Sequence, residues 1–279
     1  MSYISNNCRR NAINLDISSM RLLDDIFMSK FFDNHPAEMA TVLRIVLEKD
    51  DINVLEVKTQ YSMDSLYGRG ARLDVMASDE DGKFFNVEVQ RSTEGAARKR
   101  ARFNSSIIDS YSLDKGKGWN ALPETYVIFF VENDVLKGNL PIYHVERKIL
   151  ETGELFNDDE HIIYVNCGKH DVDDNNEPLE NLIHDFNCRN PGEMKLKDLS
   201  SRANELKNSR KEGEIMCEQV EKILKEHDEQ LAKEHEKSMI EKAQVLISKG
   251  VDDEIVQSTF NLTDDELKAL KSNSEAQNL

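Results

Sequence analysis

The segment between Arg72 and Arg91 constrains this chain more than any other. Two runs, 72-RLDVMAS-78 and 84-FFNVEVQR-91, flank 79-DEDGK-83. Leu73, Val75, Ala77, Phe85, Val87 and Val89 fall on odd positions, and Asp74, Asn86, Glu88 and Gln90 on even ones. Successive side chains of a strand point to opposite faces, so this alternation predicts a β-hairpin with an apolar face and a polar stripe. The turn sets the register. A three-residue loop, Glu80-Asp81-Gly82, fits a type I turn with Gly82 in the left-handed region and a bulge after it. Asp79 then pairs with Lys83, and Asp74 falls opposite Glu88. Two carboxylates facing each other across an antiparallel pair repel. A shared divalent cation is one reason to keep them there. A solvated face with ordinary polar residues is the plain alternative.

Asp74 followed by Glu88-x-Gln90 resembles the signature of the PD-(D/E)XK nuclease superfamily. Upstream, 24-DDIFMSKFFDN-34 is similar to the helical start of its transposase-like, recombination-promoting branch. Downstream, 98-RKRARFNSSIIDS-110 resembles the Arg-rich helix that follows the Glu-x-Gln strand there. Residues 20–165 are covered by the likeness. It implies an α/β fold, a restriction-endonuclease-like central mixed sheet flanked by helices. It further implies that Asp74 and Glu88 bind a catalytic Mg²⁺ or Mn²⁺, that the Val89 carbonyl adds a third ligand, and that DNA is the substrate. Gln90 departs from the superfamily's lysine, although this branch often carries glutamine there.

The residue types suit that chemistry. Phosphodiester cleavage needs an activated water and relief of charge on the phosphorane, and a divalent metal supplies both. Asp74 and Glu88 are hard oxygen donors. Gln90 shares their face; its amide can orient a water but brings no charge. Asp25 is a further metal-ligand candidate, because the superfamily commonly places an acid on the first helix; an acid favoured by the helix dipole is the equal alternative. Arg98, Arg100 and Arg102 are the expected contacts to nucleic acid. Arg98 and Arg102 share a helix face, with Arg100 about 160° round from either. A solvated helix face is the competing reading.

A net charge of −17 argues against a polyanionic substrate, but the distribution softens the objection. Residues 1–150 hold 20 Lys and Arg against 22 Asp and Glu, whereas residues 151–279 hold 16 against 31, a net of −15. Between residues 91 and 102, Arg91, Arg98, Lys99, Arg100 and Arg102 face one acid, Glu94. Cys8, Cys167, Cys188 and Cys217 show no metal-knuckle spacing and read as free thiols. The histidines form no HExxH pattern, and no phosphate-binding glycine loop is present. The longest apolar run is 126-YVIFFV-131, far short of a membrane span, and the N-terminus lacks an apolar signal core. A soluble, cytoplasmic protein with no membrane partner is expected.

Apolar spacing predicts a helix over 19–32 capped by Ser18 or Ser19, and a second from Pro36. It predicts strands over 52–61, 126–131, 142–145 and 161–165, and a helix over 95–113 that buries Ala97, Ala101, Ile108 and Tyr111 and ends at Gly116 and Gly118. A nuclease-like domain is expected over 18–195. An acidic helical extension follows over 196–279, with a thin apolar seam and a two-helix tail capped at Thr263 and Glu266. The expected function is metal-dependent DNA endonuclease activity of transposase-like type, and a homodimer through the C-terminal helices is one arrangement the seam permits. The competing function is a non-catalytic nuclease-fold protein that acts through its acidic tail as an interaction or DNA-mimicking module.

Overall fold

The structure, a computed structural model, describes residues 17–63, 70–92, 96–171 and 175–208, with Leu246, Asp252 and Gln257 as single positions beyond them. The chain divides into two compact units, Met1–Met216 and Cys217–Leu279. The described part of the first holds six strands: β1 (Val54–Met63), β2 (Ala71–Asp79), β3 (Phe84–Gln90), β4 (Thr125–Val131), β5 (Ile142–Val145) and β6 (Glu160–Asn166). Its α-helices are α1 (Asp25–Phe32), α2 (Pro36–Leu47), α3 (Arg98–Ser112), α4 (Glu177–Asn187) and α5 (Lys197–Asn208).

The sheet order is β1-β2-β3-β4-β6-β5. β1, β2 and β3 run antiparallel, β3, β4 and β6 parallel, and β5 antiparallel to β6. Parallel neighbours need a crossover, and α3 lies in the one between β3 and β4. This is the mixed α/β sheet that the sequence led us to expect.

Helices cover both faces. On one, α1 packs on β1, β2 and β3, and Phe186 of α4 stacks on Phe130 of β4 with centroids 3.9 Å apart. On the other, Ala101, Ile107 and Ile108 of α3 join Met76, Val127, Phe129 and Val131 in one apolar cluster. β4 is buried along its whole length, as a central strand covered on both sides must be.

The hairpin turn forms as its chemistry requires. Gly82 takes φ +80°, its N–H donates to Asp79 O at 3.2 Å, and the Asp79 N–H donates to Lys83 O at 3.2 Å. The ladder then runs from Ser78↔Phe84 to Val75↔Val87. The solvated polar face does not exist. Asn86 and Glu88 are 0% exposed beneath Asn104 and Arg100 of α3, and Asp74 is only 8% exposed.

Other expectations need correction at their edges. Met20, Leu23, Phe27 and Phe31 are all buried, but the helix starts at Asp25 rather than 19. A turn closes ahead of it: the Arg21 N–H donates to Asp24 Oδ2 at 2.8 Å, and the Asp24 N–H returns to Arg21 O at 3.0 Å. α3 starts at Arg98, with Ala97 half-buried as its cap, and ends at Ser112, before the glycines, where Leu113 turns extended. Tyr111 is 48% exposed, so it is not an inner residue of that helix, while Ala101 and Ile108 are.

α5 lies beyond residue 195 yet packs on the sheet domain. Leu199, Ala203 and Leu206 are buried, and the Arg202 guanidinium donates to the Lys30 and Phe31 carbonyls at 3.4 Å each. Those carbonyls belong to the last turn of α1, which has no intrahelical donors for them. Asp185, fully buried, accepts the Lys195 and Leu196 N–H groups at 2.7 and 2.8 Å and so anchors the chain entering α5. The seam, the tail helices and the Thr263 cap lie outside the described residues. No described helix is long and apolar enough to cross a membrane.

Candidate active site

Asp74 and Glu88 come together where the sheet's ladders break. The β2–β3 pairing stops at Val75↔Val87, one step short of the two acids. On the other side, Gln60 takes φ +50°, uncommon for a residue with a Cβ, between the pairs Thr59↔Val75 and Tyr61↔Leu73. The carboxylates take up the groups left over. The Asp74 N–H donates to Glu88 Oε1 at 3.2 Å, and the Val89 N–H donates to Asp74 Oδ2 at 3.2 Å. Buried backbone donors must find partners. Here they hold the two acids against each other.

Helix α3 completes the cradle. Arg100 and Asn104 are one turn apart and project onto Glu88 and Asn86, which are neighbours on the same strand face. Arg100 Nη2 donates to Glu88 Oε2 at 2.5 Å, and its guanidinium stands 6.0 Å from the Phe129 ring centroid. Asn104 Nδ2 donates to Asn86 Oδ1 at 3.0 Å, and Asn86 Nδ2 donates to Glu88 Oε1 at 2.9 Å. Asn86 and Asn104 are both buried, so this chain of amides orients Glu88 from below and pins the register of α3 from above.

The electrostatics follow from burial. Desolvation pushes the Asp74 pKa well up, the Glu88 charge adds to it, and the Val89 N–H and Arg100 oppose. Desolvation also raises the Glu88 pKa, against the pull of Arg100, Asn86 and the Asp74 N–H. Asp25 is close enough for its charge to raise the Asp74 pKa further. It sits exposed in the first turn of α1. Asp24 is engaged elsewhere: its Oδ1 accepts Arg91 Nη1 at 3.2 Å. Arg91 and Arg21 in turn share Glu132, at 3.0 and 2.9 Å, which ties the start of α1 to the ends of β3 and β4.

The other expected site residues are placed as follows. Gln90 is partly exposed at the end of β3, and its side-chain amide takes no hydrogen bond among the described residues. Val89 lies just past the end of the β2–β3 ladder. Arg98 and Arg102 are exposed on α3, while Arg100 is turned inward onto Glu88. The basic patch is thus smaller than the sequence suggests, since Arg91 and Arg100 already face carboxylates. Pattern reading missed the Asn86–Asn104 link. Its only trace is a polar residue at strand position 86 and another one turn after Arg100.

The donor set fits a divalent cation. Two desolvated carboxylates face each other and one guanidinium, that of Arg100, pairs with Glu88, so a divalent cation would favour ionisation of both acids. Asp74 Oδ1 takes no hydrogen bond among the described residues, so an oxygen stands ready. Both donors are hard oxygens. Among the described residues no group of three or more His, Cys, Asp or Glu side chains is arranged as a metal site.

A mixed α/β sheet with an Asp and a Glu-x-Gln converging at a ladder break defines a nuclease-type architecture. Residues 37–244 match the model of the PD-(D/E)XK nuclease family transposases, and the chain belongs to that family. The matched span starts after Asp25, so the family match does not bear on that residue. Neither the curated proteins nor the solved structures yield a match.

Proposed function

We propose that this chain is a metal-dependent DNA endonuclease acting in a transposase-like, recombination-promoting setting. The observation that carries the reading is the buried Asp74–Glu88 pair, held together by backbone donors that the sheet would otherwise use. Asp74, Glu88 and the Val89 carbonyl hold Mg²⁺ or Mn²⁺, with Asp25 near enough to contribute through water. The cation supplies charge neutralisation at the scissile phosphate and activation of water. Gln90, next on the same strand face, orients the attacking water with its free amide. Arg98 and Arg102 contact the DNA backbone from the exposed side of α3.

The test is cleavage of supercoiled plasmid with Mg²⁺ or Mn²⁺, against EDTA and against Asp74→Asn. Nicking or linearisation that needs both the metal and Asp74 is the expected result. The net charge of −15 over residues 151–279 favours a second reading, a non-catalytic interaction module. That reading requires no cutting under any metal. Sedimentation of the full chain tests a homodimer.

A further inference from the structure

The nuclease reading leaves one deficit. The superfamily's lysine is replaced by Gln90, so the strand brings no positive charge to the place where a phosphorane would form. We infer that Arg100 supplies it: the site's fixed cation is carried on α3 rather than on β3. This inference rests on the nuclease reading for its catalytic meaning, but its electrostatic content stands by itself.

Arg100 reaches the right atoms. Among the described residues it is the one cation paired with either carboxylate, with Nη2 2.5 Å from Glu88 Oε2. Its side chain is 33% exposed while Glu88 is fully buried, so the guanidinium spans the boundary between the buried acid and the surface of the site. A guanidinium delocalises its charge over a planar fork, so pairing with Glu88 still leaves positive charge at the place where a phosphate would approach.

Its position is built rather than incidental. The Asn104–Asn86 hydrogen bond sits one helical turn away and locks α3 over β3. The Phe129 ring flanks the guanidinium at 6.0 Å. Arg98 and Arg102, on the same helix, are exposed and pair with neither acid among the described residues. The contribution of Arg100 is charge, placed before the reaction begins. The same charge competes with a divalent cation for Glu88. Cation affinity is therefore set by how many fixed positive charges line the site.

That competition makes the inference testable without cutting. Mn²⁺ affinity is measured by calorimetry or EPR on the full chain and on Arg100→Gln, Arg100→Lys, Gln90→Lys and the double variant Gln90→Lys/Arg100→Gln. Arg100→Gln should bind Mn²⁺ about tenfold more tightly, Gln90→Lys more weakly, and the double variant close to wild type. Arg100→Lys should also stay near wild type, which guards against a mere folding defect. In plasmid cleavage, Arg100→Gln should lose about a hundredfold in kcat with little change in KM, and Gln90→Lys should restore at least part of it. Unchanged Mn²⁺ affinity in Arg100→Gln, in a protein that cuts, overturns the role of Arg100 and leaves the nuclease reading intact. The expected order of affinities in a protein that never cuts overturns the nuclease reading and leaves the charge assignment standing. No Mn²⁺ binding by any variant overturns both.

Discussion

The Asp74 backbone N–H donates to the Glu88 carboxylate at 3.2 Å, while the Asp74 carboxylate accepts the N–H of Val89, the next residue along. Each acid is thus fastened by the other's strand. The arrangement brings two like charges together at a point where neither can be moved without leaving a buried donor unpaired. Structure and chemistry share these atoms, which decides how substitutions must be designed.

Truncation to alanine is a poor probe of Glu88. It strips partners from Arg100, Asn86 and the Asp74 N–H at once. Glu88→Ala should cost about 1–3 kcal/mol of stability in addition to abolishing cleavage. Glu88→Gln keeps the shape and should fold. Its plasmid cleavage should fall at least about a hundredfold, since a neutral amide binds a hard cation poorly. Wild-type cutting by Glu88→Gln would remove Glu88 from the site.

Stability should depend on pH in a direction that ordinary paired carboxylates do not show. Burial raises the Asp74 and Glu88 pKa values, so the folded chain keeps protons that the unfolded chain has released. Stability is then highest below the unfolded carboxylate range and falls as pH rises from about 4 through the raised values. Every tenfold difference in proton affinity between the folded and unfolded chain is worth about 1.4 kcal/mol. Asp74→Asn should therefore raise the Tm of the metal-free protein at pH 7 and flatten the decline. Calorimetry from pH 4 to 8 checks this, and a steeper decline in the variant would refute it.

Asn104 should behave as a positioning residue. Asn104→Leu leaves the Asn86 carbonyl oxygen without its donor and loosens the register of α3. A loss of about 1–3 kcal/mol is expected. Cleavage should fall while KM for DNA stays near wild type, because Arg98 and Arg102 remain exposed. Denaturant melts and steady-state kinetics read the two effects separately.

Gln90 carries no structural hydrogen bond from its side chain among the described residues, so Gln90→Ala should leave stability unchanged within about 0.5 kcal/mol. If the amide orients water, cleavage slows while Mn²⁺ affinity holds. Equal rates for Gln90→Ala and wild type would remove the residue from the mechanism.

The place of truncation matters. Ending the chain at Lys195 removes Leu199, Ala203 and Leu206 from the core and Arg202 from the α1 carbonyls. That fragment should be destabilised or insoluble. Ending it after Asn208 keeps α5 and should give a folded protein. Freed of much of the acidic half, it should bind DNA more tightly at low salt, with the gap closing as salt screens the repulsion. If the removed segment dimerises the enzyme, the same fragment binds more weakly and nicks instead of cutting both strands. Titrations at several salt concentrations with sedimentation tell these apart.

Local chemistry made much of this protein legible from its sequence. Alternation marked β2 and β3, Gly82 set their turn, and the turn set the register that brings Asp74 to Glu88. The inward-facing apolar residues of α1, Pro36 at the start of α2 and the apolar run 126–131 of β4 were equally readable, because periodicity and turn geometry act over a few residues. Burial of the polar stripe was not readable. It depends on α3 crossing over from the far side of β3, and a sequence shows alternation without showing what covers either face. The inward turn of Arg100, the Asn86–Asn104 link and the Gln60 irregularity opposite Asp74 were hidden for the same reason. Each is a partnership between residues distant along the chain, and only the packed sheet and helix decide which side chain meets which.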